Sequence, residues 1–334
     1  MQQEIRFATF NVRNLALPGA KYYENLAPYT QQQYKAKTDW IAHQIDQTNA
    51  DVIGFQEIFS QAALKHVLSK TRHYKNAHHA GFDPDPNRRI KMTPSVALVS
   101  RLPFAGAAIS HLELPHQLQL TLPTNSRLVH QFSRAILEVP LALPGGKTAH
   151  VLVVHLKSKK PDYILDADRS SLYEFGVASL RALIRRGSDA LGLRFLVADM
   201  RRAHGKPLIV MGDFNDIATA SSTQIVTGEG FPDEHGRCYH LYDCAEIQSG
   251  GNSLRDVAYT DIYRRKFFTI DHILVTEEFS KATDYSIGQV RDVLYFNDHV
   301  MQNLPHTTDH GLVMARIRLR GGGSENPDSG SVGS

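Results

Sequence analysis

The sequence predicts a mixed fold, α/β or α+β, whose sheets combine parallel and antiparallel strands. Two observations carry that expectation. Short runs rich in Val, Ile, Leu and Phe recur along the chain, closed off by Gly, Pro or Asp. Between some of them lie stretches whose apolar residues repeat at helical spacing. No repeat of solenoid length is present.

The elements follow in chain order. Ile5 to Val12 reads as the first strand. Gln33 to Thr48 places Trp40, Ile41 and Ile45 on one helical face. Val52 to Gln56 is a strand and Gln61 to Ser69 a shorter helix. Ser95 to Ser100, Ser133 to Val139 and His150 to His155 are further strands. The longest helical stretch is Tyr173 to His204, where Phe175, Leu180, Leu183, Leu193 and Met200 lie among arginines. A break is expected at Gly187-Ser188-Asp189, with Ser188 or Asp189 capping the second part. Its arginines, Arg181, Arg185, Arg186, Arg194, Arg201 and Arg202, are expected on a solvated face; a stripe that tracks phosphates is the alternative. Leu208 to Met211, Phe268 to Val275 and Gly311 to Arg318 complete the strands. Residues 1–320 are expected to form one domain, with the Arg-rich helical part, about 159–206, inserted into it. Residues 321–334 are Gly/Ser-rich and read as a flexible tail.

The totals bound the function. The chain has 334 residues, 42% hydrophobic and 21% charged, an ordinary globular composition. A net charge of +3 is too small to prove a nucleic-acid partner and does not argue against a phosphorylated substrate. Two cysteines, Cys238 and Cys244, exclude a disulfide framework and a four-cysteine zinc site. Neither a signal peptide nor an apolar run long enough for a bilayer is visible, so the cytoplasm is the expected compartment.

The chemistry sits at strand ends. Asn11, Glu57, His155, Asp213 and Asn215 each follow an apolar run, Asp271 interrupts one, and Asp309-His310 precedes one. Any one of them alone reads as a turn former, a cap or a hydrogen-bonded core residue. Together they are all oxygen or imidazole, with no thiol. Hard divalent cations take oxygen ligands, Mg²⁺ above all, and imidazoles beside them move protons near neutral pH.

The segments TFNV (Thr9 to Val12), IGFQE (Ile53 to Glu57), VVHLKS (Val153 to Ser158), GDFND (Gly212 to Asp216), TIDHILV (Thr269 to Val275) and TDHG (Thr308 to Gly311) occur in that order. In this the chain resembles the endonuclease/exonuclease/phosphatase superfamily, the deoxyribonuclease I-like enzymes, and within it bacterial members without an assigned substrate. The resemblance implies a four-layer αββα sandwich, two packed mixed β-sheets flanked by helices. It also implies roles. Glu57 is the principal metal ligand, with Asn11 and Asp309 nearby, and the ion is Mg²⁺ or Mn²⁺. Asp213 orients or deprotonates the attacking water, Asn215 holds a phosphate oxygen, and His310, positioned by Asp271, is the second proton-handling group. His155 contacts the phosphate or the leaving group, and Arg134 binds phosphate. Lys157, in a basic run beside His155, is read as a substrate contact against the plainer reading of a solvated turn. Asp216 is assigned an Asx-type turn bond instead of chemistry. Asn297-Asp298-His299 has no role assigned. Arg88 to Lys91 is a short basic run, and Arg255, Asp256 and Tyr259 are candidates for the cleft wall.

The implied activity is that of a metal-dependent phosphodiesterase, foremost a nuclease acting on DNA or RNA. The alternative is a phosphatase or phospholipase-type hydrolase of a small phosphate ester, an inositol phosphate or a phospholipid headgroup. A lipid-acting version calls for an exposed apolar element, which the sequence does not announce. A non-catalytic binding module on the same fold would be expected to have lost a ligand. Oligomeric state is left open.

Overall fold

The computed structural model describes residues 3–320 apart from 24, 84–92, 119, 124–127, 229–238, 250–257 and 281–285. The tail at 321–334, the Arg88 to Lys91 run, Cys238, Arg255 and Asp256 lie outside the described residues.

Sixteen strands and six α-helices alternate among the described residues. Strand β1 (Glu4–Leu15) leads to helix α1 (Gln31–Thr48), β2 (Val52–Ile58), α2 (Gln61–Lys70), β3 (His78–Gly81), β4 (Ser95–Ser100) and β5 (Ile109–Glu113). A small ribbon, β6 (Leu120–Thr121) with β7 (Leu128–Val129), precedes β8 (Gln131–Leu143) and β9 (Lys147–His155). Helix α3 (Leu172–His204) is followed by β10 (Leu208–Asp213), α4 (Ser221–Thr227), β11 (Tyr242–Asp243) and α5 (Cys244–Ser249). A second ribbon, β12 (Asp261–Tyr263) with β13 (Lys266–Phe268), leads into β14 (Asp271–Val275), β15 (Gly288–Phe296), α6 (Asp298–Gln302) and β16 (Leu312–Leu319).

The large strands form two six-stranded mixed sheets, ordered β15-β16-β1-β2-β4-β3 and β11-β14-β10-β9-β8-β5. Alternation along each strand explains the layering. On β1, Ile5 and Phe7 face the other sheet, whereas Ala8, Phe10 and Val12 face the helices. On β9, Val151 and Val153 point between the sheets, and Leu152 and Val154 point outward. Tyr34, Ile41 and Ile45 of α1, with Leu64 and Val67 of α2, close the first outer face. Ala190, Leu193 and Val197 of α3 close the second. Both faces of each central strand are therefore dry, which is why these strands read as continuous apolar runs. The αββα sandwich expected from the sequence is the fold observed.

Local signals set the helix ends. Thr30 caps α1, and its side chain and that of Gln33 bond each other's backbone N–H in a capping box. Helix α3 departs from expectation, because it runs unbroken through Gly187-Ser188-Asp189. Ser188 Oγ donates back to the Ile184 carbonyl at 2.8 Å. Asp189 is buried and accepts the backbone N–H groups of Ser133 and Lys157, each at 2.9 Å. A residue expected to start a helix instead pins two strand-end loops.

Half of the arginines expected on a solvated face of α3 are not solvated. Arg181, Arg186 and Arg194 are buried. Arg181 donates to the carbonyls of Pro123 and Asp162, Arg186 pairs with Asp216, and Arg201 pairs with Glu278 at 2.6 Å. These guanidiniums tie the helix to its own protein, which argues against a free phosphate-tracking stripe. Among the described residues no helix is long and apolar enough to cross a membrane.

Candidate active site

Pairing register brings the strand-end residues to one edge of the sandwich. Asp213, the last residue of β10, lies beside His155 on the parallel β9 and beside Asp271 on the antiparallel β14. Gly212 makes this possible, since a Cβ there would stand 1.9 Å from the Val154 carbonyl oxygen. In the other sheet Asn11 ends the regular pairing of β1 with β2, and Glu57 follows in a left-handed conformation at φ 62.

The two sheets meet at the Asp213 carboxylate. Asn11 Nδ2 donates to Asp213 Oδ2 at 3.0 Å and lies 3.5 Å from Glu57 Oε1. His155 Nε2 is 3.3 Å and His310 Nε2 3.9 Å from the same Asp213 oxygen. Its second oxygen accepts the Asn215 N–H at 2.7 Å. Asp271 Oδ2 accepts a hydrogen bond from His310 Nδ1 at 2.9 Å. Asn11, Glu57, His155, Asp213, Asp271 and His310 thus form one connected cluster.

Burial and charge separate these groups by role. Burial pushes the Asp213 carboxyl up to about 7; the neighbouring His310 pulls it down and Asp271 pushes it up. Burial opposes charge on His310 too, but the Asp271 and Asp213 carboxylates outweigh it and hold that imidazole well above its usual range. Burial, with Arg134 and His310 adding repulsion, holds His155 well below its usual range. One cationic and one neutral imidazole therefore flank one carboxylate.

The remaining expected residues are placed less uniformly. Asp309 is half exposed and faces Arg13, its Oδ2 3.5 Å from the guanidinium. The Asn215 side-chain amide is committed to the Leu156 carbonyl at 3.0 Å, so in this geometry it holds the loop together rather than facing open space. Arg134 donates to that same carbonyl at 2.9 Å, and its Nε is buried without a partner. The Lys157 ammonium donates to the carbonyls of Ser158 and Lys160, each at 3.0 Å, and so closes its own turn. Asp216 does more than bond its own loop: Arg186, Ser222 and Lys159 all converge on it.

Several supports were not read from the sequence. His299 donates to the His310 carbonyl at 2.8 Å, and Thr308 to the Asn11 carbonyl at 2.8 Å. Tyr259 is buried, with its carbonyl accepting from Asn297 at 2.9 Å, so it braces this loop instead of lining the cleft. Lys37 of α1 is buried, feels the charges of Arg13, Glu57 and Asp309, and has its ammonium lowered to about 8, chiefly by burial. Its signal in the sequence is a lysine within the apolar period of α1.

The donor chemistry fits a hard cation. Glu57 and Asp309 offer carboxylate oxygen, Asn11 turns Nδ2 to the site while its Oδ1 accepts the Arg13 N–H at 3.0 Å, and the buried Oδ1 atoms of Asp271 and Asn14 have no hydrogen-bond donor. Asp213, Asp271 and His310 also present one donor atom each within 4.8 Å of one another, close enough to hold a metal ion.

A family model for the Endonuclease/Exonuclease/phosphatase family matches residues 8–310, and the chain belongs to that family. No curated protein matches the sequence. Among solved structures the chain is similar to the human Nocturnin catalytic domain with bound sulfate, at 16% identity and a TM-score of 0.57, covering 96% of this chain and 98% of that one. It is similar to an endonuclease/exonuclease/phosphatase from Bacteroides vulgatus, at 15% identity and a TM-score of 0.56, over 95% and 100% of the two chains. It is likewise similar to a humanized D. rerio TDP2, at 13% identity and a TM-score of 0.56, over 94% and 98%. At these identities the likeness concerns the fold.

Proposed function

We propose that the chain is a divalent-metal-dependent phosphodiesterase, a nuclease that hydrolyses DNA or RNA by in-line attack of a water on phosphorus. The observation that carries this reading is the meeting at Asp213 Oδ2 of Asn11 from one sheet with His155 and His310. A phosphodiester resists hydrolysis because its oxygens repel an incoming hydroxide. A rigid carboxylate next to cationic and neutral donors answers that repulsion.

Glu57, Asn11 and Asp309 would hold Mg²⁺ or Mn²⁺. Bound there, the ion supplies Lewis-acid stabilisation of charge on the phosphate oxygens. The Asp213-Asp271-His310 group is the less suitable cradle, because an imidazolium has no lone pair to give a metal.

The protein groups divide the proton work. Asp213, held by the Asn215 N–H, accepts the proton of the attacking water. His310, kept cationic by Asp271, stabilises the growing charge and delivers a proton to the leaving oxygen. Neutral His155 donates through Nε2 without adding charge. Arg134, which donates to the Leu156 carbonyl and also bonds Tyr23, would bind a phosphate oxygen. Asn215 acts by positioning Asp213, and Lys157 by shaping the loop beside His155.

The test is a substrate panel of plasmid, single-stranded DNA, RNA, nucleotides, inositol phosphates and bis-p-nitrophenyl phosphate, with Mg²⁺, Mn²⁺ or EDTA. Nucleic-acid cleavage that needs the metal and is lost in Asp213→Ala supports the nuclease. Turnover of small esters with none of the polymers assigns the site to a phosphatase or headgroup hydrolase. No turnover of any substrate rejects catalysis.

A further inference from the structure

Helix α1 carries a lysine inside the protein. Tyr34, Ile41 and Ile45 pack in the core with residues of β1 and β2, and Lys37 falls between Tyr34 and Ile41 on the same buried stripe. It is 2% exposed. Among the described residues no hydrogen bond or salt bridge engages its ammonium, although a buried charge ordinarily has a partner.

The packing of α1 on β1 fixes where this lysine lies. At one end Arg6 donates to the Asn49 carbonyl at 3.4 Å, and further along the rings of Phe10 and Trp40 stand 6.0 Å apart. The helix therefore runs antiparallel to the strand. From 49 to 40 the helix rises about 13.5 Å and from 6 to 10 the strand rises about 13 Å, so the two advance in step. Going on from 40 to 37 adds about 4.5 Å and brings Lys37 level with Asn11 and Val12. That is the strand end beside which Glu57 stands.

The charges that bear on Lys37 agree with this placement, for they are those of Arg13, Glu57 and Asp309. Arg13 faces Asp309 at 3.5 Å. The two carboxylates that would hold a cation are thus balanced by two fixed cations, Arg13 at the surface and Lys37 inside.

We propose that Lys37 is a resident cation of the metal cradle, whose fixed charge loosens the grip of Glu57 and Asp309 on a divalent ion and leaves the loaded site net positive toward an anionic diester. The inference rests on the metal-dependent reading of the site. A fixed ammonium repels an arriving divalent ion, and near a protein surface this repulsion is stronger than in bulk water. Because the carboxylates are already balanced, a bound ion adds positive charge that nothing in the group cancels. A phosphodiester is drawn to that surplus. A neutral side chain of the same volume would reverse both effects, giving a tighter ion and a weaker pull on the substrate. Lys37 acts through this field as a positioning residue for ion and diester.

Mn²⁺ titration followed by electron paramagnetic resonance tests the proposal on the full chain at pH 6.5, where the ammonium is charged. Lys37→Met keeps most of the volume without the charge, and Lys37→Gln removes the charge but stays polar. Both are expected to bind Mn²⁺ on the order of tenfold more tightly than wild type. Both should also raise KM for bis-p-nitrophenyl phosphate at saturating Mn²⁺. Lys37→Arg keeps the charge and should restore wild-type values of both. A damaged cradle binds its ion more weakly, so tightening is not a symptom of misfolding. Unchanged or weaker Mn²⁺ binding in the neutral variants overturns the proposal. So does their failure to fold, read by circular dichroism, which would make the lysine structural. A raised KM with unchanged Mn²⁺ affinity overturns it in favour of a direct phosphate contact. Wild-type binding that Glu57→Gln weakens and the Lys37 variants do not change sinks this proposal alone, whereas a wild type that binds no Mn²⁺ sinks the metal-dependent reading with it.

Discussion

Asp213 and Asp271 are register partners across the antiparallel pair β10–β14, yet only Asp271 holds the His310 ring, at 2.9 Å. Two buried carboxylates on adjacent strand ends thus have different tasks. Asp271 fixes the His310 ring, whereas Asp213 accepts from Asn11 and from the Asn215 N–H.

Removing the anchor should move the alkaline side of the activity profile. Asp271 is the largest source of the upward shift on His310, against the downward pull of burial. In Asp271→Asn that ring loses its proton at lower pH. The alkaline limb of kcat/KM is expected to shift toward acid, with the acid limb displaced less. Steady-state rates on a model diester across pH check this.

Asp213→Asn should lose activity and gain stability. Burial raises this carboxyl from 3.8 to about 7. An acid whose folded pKa is raised costs stability as pH climbs through that interval, and the full cost is present above pH 7. It is on the order of 4 kcal/mol. Asparagine does not ionise. Thermal melts in EDTA are expected to show the variant above wild type near pH 8, with the gap closing as the pH falls toward 4.

Asp216→Ala should do the opposite. It leaves the Arg186 guanidinium buried and without its 3.1 Å carboxylate partner. Breaking a buried pair by removing one member costs roughly 3–5 kcal/mol. Denaturant unfolding measures the loss, and the folded fraction should keep most of its turnover.

Arg134→Ala removes a guanidinium whose Nε has no protein partner. Losing one donor to a developing charge lowers kcat on the order of 10²-fold. A rise in KM with kcat unchanged would instead make Arg134 a ground-state contact.

Most of the strand-end cluster was legible because strand ends announce themselves. Val52 to Gln56 and Leu208 to Met211 can only be core, so the polar residues that follow must stand at an edge. Periodicity was less informative for α3. It shows that Leu180 and Leu183 share a face and that the arginines share another, but not which face turns inward. Burial by sequence habit placed the leucines inside, and the structure has Arg181 there instead. The roles of Asp189 and His299 were also hidden. Each works by bonding a backbone group far along the chain, at Ser133 and at His310, and no local pattern records such a contact. The Lys157 ammonium was likewise not legible, since its bonds to the Ser158 and Lys160 carbonyls depend on how the turn after His155 folds.

The central claim is that oxygens from distant parts of the chain grip one divalent cation that the hydrolysis needs. Mn²⁺ binding followed by electron paramagnetic resonance, in wild type and Glu57→Gln, tests it most directly. The account predicts a bound ion in the wild type, at least a tenfold weaker one in the variant, and a parallel loss of diester hydrolysis. Equal Mn²⁺ affinity in the two proteins, or hydrolysis that survives EDTA, would contradict it.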